Sequence, residues 1–166
     1  MNRAFPLALL SLVAVAPALG QGSGISGFNS NAPVDVAADR IEVQDRANRA
    51  IFSGNVQVHQ GNMQMTAARL TVVYAGGQSV QIQRLEASGG VILRTPSETA
   101  RSRFAIYDVP RRIVTMIGGV TLDQGSNHVQ GARLVLDLDS HRAVMDGGGG
   151  TGRVTGRFTV PRRGGN

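Results

Sequence analysis

The sequence contains no cysteine, no tryptophan and no lysine, and aromatic residues make up only 4% of it. Without cysteine there can be no disulfide framework and no thiolate-ligated zinc or iron–sulfur site. Each large aromatic ring buries about 150–250 Å², so with few of them the interior has to be filled by aliphatic and thioether side chains. Charged residues are 17% and apolar residues 42% of 166 residues, a balance that excludes wholesale disorder and fits about one domain. Glycine is abundant, at 22 residues, and implies many turns. The formal net charge is +6, carried entirely by arginine, which favours anionic partners: nucleic acid, phosphate-bearing lipid or acidic polysaccharide.

Residues 1–20 read as a signal peptide. Arg3 supplies a short positive segment, an apolar run extends from Ala4 to Ala16, and small residues surround Ala18 and Gly20. The run is shorter than the roughly 20 residues of a membrane span, and cleavage is expected after Gly20, or else after Ala18. An uncleaved anchor is the alternative. Export to the periplasm weighs against nucleic acid as the partner. Residues 21–32 form a Gly/Ser/Asn-rich flexible leader.

Beyond the leader, period-2 alternation dominates. In Asn55-Val56-Gln57-Val58-His59 the valines share one face, in Asn62-Met63-Gln64-Met65 the methionines do, and Leu134-Val135-Leu136-Asp137-Leu138 repeats the pattern. Each segment predicts a half-buried strand. Aligning the chain with itself so that Gly54 meets Gly118 also matches Val56 with Val120, Gln60 with Gln124, Gly61 with Gly125, and Ala68-Arg69-Leu70 with Ala132-Arg133-Leu134. A shorter unit, an Arg-apolar start leading to Gly-x-Val, begins at Arg40, Arg69, Arg103 and Arg133. Such repeats cannot bury their apolar faces singly and must stack, as in a β-solenoid, an open roll or a jelly roll.

The words Asp39-Arg40-Ile41-Glu42-Val43, Ala50-Ile51-Phe52-Ser53-Gly54-Asn55-Val56-Gln57-Val58-His59-Gln60-Gly61 and Ala67-Ala68-Arg69-Leu70 resemble the OstA/LptA family of periplasmic lipopolysaccharide transport proteins. The resemblance runs from about Pro33 to Met145. It departs at Ala38-Asp39, where Ser-Asp is usual, at Gly118-Gly119-Val120, which has Gly for Asn, and in the tail from Gly147. It implies an all-β fold: a single antiparallel sheet folded over into a β-jellyroll over 33–146, followed by a Gly/Arg-rich segment over 147–166 with an edge strand near 153–160. It also implies lipopolysaccharide or a related anionic glycolipid held in an apolar groove, and no enzymatic activity. The implied partners are a membrane-tethered protein of the same fold at the inner membrane, an outer-membrane translocon, and further copies of the chain stacked head to tail. No cofactor, metal or nucleic acid is expected.

With Val56 set inward, alternation gives the lining. Phe52, Val58, Met63 and Met65 accompany it, the internal repeat adds Met116, Val120 and Leu122, and Leu70, Val91, Leu93, Phe104, Ile106, Leu134 and Leu136 complete the set. Under the family resemblance these are the lipid-contacting residues; read alone, such stripes are ordinary core. Flexible thioethers suit mobile acyl chains.

Other chemistry is thin. Gly22-x-Gly24-x-x-Gly27 and Gly147-x-Gly149-x-x-Gly152 match a dinucleotide fingerprint in letters only, since neither is followed by a helical pattern. His59, His128 and His141 lack metal-ligand spacing. Asp35, Asp39, Asp45, Asp108, Asp137 and Asp139 fall mostly at repeat turns, where aspartate serves the backbone. Arginines at the rim could meet an anionic saccharide, or simply solubilise strand faces. The membrane-tethered transport partner of the same fold, which an uncleaved N-terminus would indicate, a structural or carbohydrate-binding β-solenoid, and a surface hydrolase are the competing readings.

Overall fold

The computed structural model describes residues 31–77, 79–148 and 152–159. The expected signal peptide and most of the leader lie outside the described residues. Those described form β1 (Asp35–Ala37), β2 (Arg40–Gln44), a single 3-10 turn at Asp45–Ala47, β3 (Arg49–Gln60), β4 (Met63–Ala75), β5 (Gln81–Arg94), β6 (Glu98–Asp108), β7 (Ile113–Gln124), β8 (Asn127–Asp137), β9 (Arg142–Asp146) and β10 (Thr155–Arg157). All belong to one antiparallel sheet, in which β3 to β8 pair in sequence order. At one edge β1 and β2 pair with different stretches of β3, and at the other β10 and β9 pair with different stretches of β8.

The edge strands divide in this way because the sheet is creased across its middle. In β3, β5 and β7 the pairs Gly54-Asn55, Gly89-Gly90 and Gly118-Gly119 all have positive φ. In β4, β6 and β8 the inside–outside alternation inverts at Ala68-Arg69, Arg103-Phe104 and Ala132-Arg133. The ladder slips at these places in every pairing from β3·β4 to β7·β8. A bulge bends its strand and increases twist, so bulges set side by side fold the sheet along a line. One leaf holds 49–53, 69–75, 81–88, 104–108, 113–117 and 133–137, with β2 and β9 at its edges. The other holds 56–60, 63–67, 91–94, 98–102, 120–124 and 127–131, with β1 and β10 at its edges. Between β1 and β2 the chain crosses the crease at Asp39, whose N–H donates to the Gly54 carbonyl at 2.9 Å and whose Oδ2 accepts from Asn55 Nδ2 at 2.8 Å. The Ala38-Asp39 and Gly54-Asn55 words are therefore two sides of one contact.

Folding the sheet puts its two apolar faces against each other, and their side chains merge into a single core. Val56, Val91 and Val120 on one leaf and Leu70, Met116, Leu134 and Leu136 on the other are its most deeply buried members. The architecture is thus the folded-over antiparallel β-jellyroll expected from the sequence. Two expected lining residues are misplaced. Phe104 and Ile106 face outward, 50% and 36% exposed, while Ala105 and Tyr107 take the inner face. Although Arg103-Phe104 reads like Arg69-Leu70 and Arg133-Leu134, the cross-strand row through Arg69 and Arg133 passes through Phe104. The unit in β6 is displaced by one residue, and such a slip exchanges the two faces of a strand.

Candidate functional site

The interior between the leaves is the candidate site. Val58, Met63, Met65 and Leu93 from one leaf meet Leu85, Ala87, Ala105, Tyr107 and Val114 from the other around a predominantly apolar cavity of about 20 Å³, which Gln60 also lines. That is room for about one water molecule. Phe52 and Leu122 are half-buried and pack on the margin of the core, and the remaining inward residues named from the sequence are buried. Sequence reasoning passed over Leu85, Ala87, Ala100, Ala105 and Tyr107, and the buried polar residues Gln60, Glu98 and Ser102. Leu85 and Ala87 could have been found by extending the alternation back from Val91 through Gly89. The alanines carry too weak an apolar signal to stand out.

A short strap joins the free rims of the leaves. Residues 31–34 precede β1, and Val34 seals one side of the cavity. The strap is held from one leaf by Gln60 Nε2, which donates to the Ala32 carbonyl at 3.0 Å. From the other it is held by Arg112 Nη2, which donates to Asn31 Oδ1 at 2.7 Å. Arg112 is itself fixed by Asp139 at 2.9 Å. Burial pushes the Tyr107 phenol above its ordinary 10.0, and the neighbouring Gln60 amide opposes the shift.

At the β2 edge the inner face is uncovered. Ile41 and Val43 pair with Phe52 and Ala50, so they share the inner face, yet they are 56% and 57% exposed. At the opposite edge Ala143, Leu122, Val129 and Phe158 surround a second hollow that also contains Glu98. Gln124 Nε2 donates to Glu98 Oε1 at 2.9 Å, and burial raises the Glu98 carboxyl above its ordinary 4.5. A raised carboxyl adds stability that is complete below that ordinary value and is lost as pH rises through the raised one. Glu98→Gln should therefore melt higher than the parent at neutral pH, and the two curves should converge in acid; parallel curves across the pH range would exclude Glu98 as the source.

Charge elsewhere is on the surface. Asp123 accepts from Arg101 Nη1 and contacts His128 Nδ1, each at 2.6 Å, and the His128 contact is the largest cause holding its carboxyl below the ordinary 3.8. Asp108 and Asp137 receive turn N–H groups, which gives both a backbone role. The exposed ion pairs contribute about 0–1 kcal/mol each. Among the described residues no cluster of His, Asp or Glu could hold a metal, and no helix is long and apolar enough to cross a membrane. Of the two glycine fingerprints, the first lies outside the described residues. In the second, Gly147 and Gly152 pack directly on each other with no helix after them among the described residues.

Comparison with known proteins agrees with this geometry. Residues 35–142 match the family described as "LptA/(LptD N-terminal domain) LPS transport protein". An uncharacterised protein of Rhizobium meliloti (strain 1021) is 32% identical over 130 residues, covering 74% of this chain and 70% of the relative. Among solved structures, the chain is similar to LptH, the LptA-homologous periplasmic component of the lipopolysaccharide transport device from Pseudomonas aeruginosa. The TM-score is 0.69 at 19% identity, over 79% of this chain and 98% of that one. With the match spanning nearly all of the creased sheet, the chain belongs to the LptA/LptD N-terminal domain family of lipopolysaccharide transport proteins.

Proposed function

We propose that this chain is a periplasmic carrier that takes the acyl chains of lipopolysaccharide, or of a related anionic glycolipid, between its two leaves and passes them from inner-membrane to outer-membrane transport components. Residues 1–20 direct export, and the carrier domain spans 33–146. The chain works by binding and catalyses no reaction. The observation that carries this reading is the apolar interior shared by both leaves, which continues to an uncovered inner face at Ile41 and Val43. A cavity of about 20 Å³ admits no acyl chain, so carriage requires the leaves to part about the crease and the strap at residues 31–34 to release. Phe52, Val56, Val58, Met63, Met65, Leu70, Val91, Leu93, Met116, Val120, Leu122, Leu134 and Leu136 then face the lipid.

The test is a photo-crosslinking residue introduced singly at Val58, Met65 or Leu134, and for comparison at Gln57, His59 or Gln64. The inward set should capture lipopolysaccharide in cells and the outward set should not. The small free volume favours a second reading, a structural or carbohydrate-binding β-fold with a dry core. Equal capture on both faces, or none from a folded protein, would replace the carrier with that reading.

The uncovered β2 edge and the short strands β1 and β10 also suit strand addition by another copy or by a partner of the same fold. A head-to-tail contact of this kind does not close on itself. Light scattering should show average mass rising with protein concentration, and proline at Glu42 should suppress the rise; a constant monomer mass would remove self-assembly from the proposal.

A further inference from the structure

The outer face carries a feature that the carrier reading does not use. One cross-strand row follows the crease through Arg69, Ser88, Phe104, Ile117 and Arg133. Phe104, Ile106 and Ile117 are all exposed and, with Arg69, line a hollow of about 400 Å³. Arg103 lies over Gly118 beside them. Among the described residues, Arg69, Arg103 and Arg133 have no acidic partner, whereas five other arginines do. Glu86, the acid lining the hollow, is neutralised by Arg84 at 2.7 Å.

We infer that this band docks the protein on the surface of an anionic phospholipid bilayer. Arg69 and Arg133 stand four strand spacings apart, ~19 Å, too far to grip one phosphate and well matched to a surface presenting many. Guanidinium groups pair with phosphate in a two-pronged geometry, and an aromatic and two aliphatic side chains between them suit the headgroup boundary. A stable protein interface engages about 20–30 residues a side, which this band does not offer. Adsorption to lipid needs less apolar area, because each arginine adds its own attraction. Bilayer docking uses the face opposite the interior and stands independently of the carrier reading.

The experiment is co-sedimentation of the full chain with vesicles of phosphatidylcholine alone, phosphatidylcholine with phosphatidylglycerol, and phosphatidylcholine with lipopolysaccharide. Binding should require phosphatidylglycerol and weaken as salt is added. Arg69→Gln combined with Arg133→Gln should reduce partitioning by about 25-fold, fivefold for each arginine. Phe104→Ser with Ile117→Ser should reduce it at unchanged salt. Arg111→Gln combined with Arg46→Gln removes equal charge away from the band and should leave binding near the parent value. Equal loss in that control, equal binding to uncharged vesicles, or no binding to any vesicle would overturn the inference. Binding only to lipopolysaccharide vesicles would overturn it in favour of the glycolipid headgroup. All the altered side chains belong to exposed residues, and the arginine pair gives a second readout should the apolar pair fold poorly.

Discussion

Gly89→Ala should destabilise the fold by about 2–4 kcal/mol, while Gly90→Ala should cost about 1–2 kcal/mol. Both glycines have φ of +84°, so both substitutions force an L side chain into the positive-φ region that disfavours it. They differ in space. A Cβ on Gly89 would stand 2.5 Å from the Ala68 Cβ of the neighbouring strand, whereas one on Gly90 would meet nothing within 4 Å. The difference between the two variants therefore measures how closely the strands approach where the sheet bends. In a domain of this size each kcal/mol shifts the melting temperature by about 4 °C, so thermal denaturation will separate the pair by several degrees. Equal losses would mean that crowding at the crease contributes nothing and that backbone conformation alone demands glycine. Gly118→Ala extends the test, because its Cβ would meet Arg103 Nε at 2.7 Å, which can swing aside, and the fixed Arg103 Cβ at 3.0 Å, which cannot. Its cost should fall between the other two.

Val58→Asp should lower stability by about 3–5 kcal/mol and abolish glycolipid capture, with Gln57→Asp remaining within about 0.5 kcal/mol of the parent. Val58 is buried, pairs with Met65 across the β3·β4 ladder and lines the apolar cavity, whereas Gln57 faces water. Burial raises the pKa of an introduced carboxyl, so Val58→Asp should regain stability as pH falls into the range where that group is protonated. This acid rescue distinguishes a buried charge from a simple packing defect, which pH would leave unaltered. Near-parent stability and capture at neutral pH would put position 58 on the outer face.

The strands were legible because their chemistry is local. Val56-Gln57-Val58 and Leu134-Val135-Leu136 announce their faces by alternation alone, and the match of Gly61 with Gly125 marks two equivalent hairpin turns. The crease was legible only as a collection of turn-like glycines, since a bulge is a backbone event and β4, β6 and β8 make theirs without glycine at Ala68-Arg69, Arg103-Phe104 and Ala132-Arg133. This is why Phe104 and Ile106 were placed on the wrong face. The strap was invisible for another reason: Asn31 and Arg112 are far apart in sequence, and neither belongs to a periodic pattern. Whether the interior stands open or shut also leaves no trace in an aliphatic stripe, which reads identically in both states.

Because the crease crosses every long strand at its middle, the cross-section and the length of the molecule are set by different parts of the sequence. The width of each leaf follows from the half-strand, such as 56–60 in β3, and comes to roughly 17 Å at the rise of a β-strand. Length follows from the number of hairpins laid side by side. Duplicating a hairpin pair in register would lengthen the folded sheet while leaving its profile untouched, and a shortened chain would keep the same cross-section. Evolution can therefore adjust the span of such a fold by copying segments, without redesigning its cross-section.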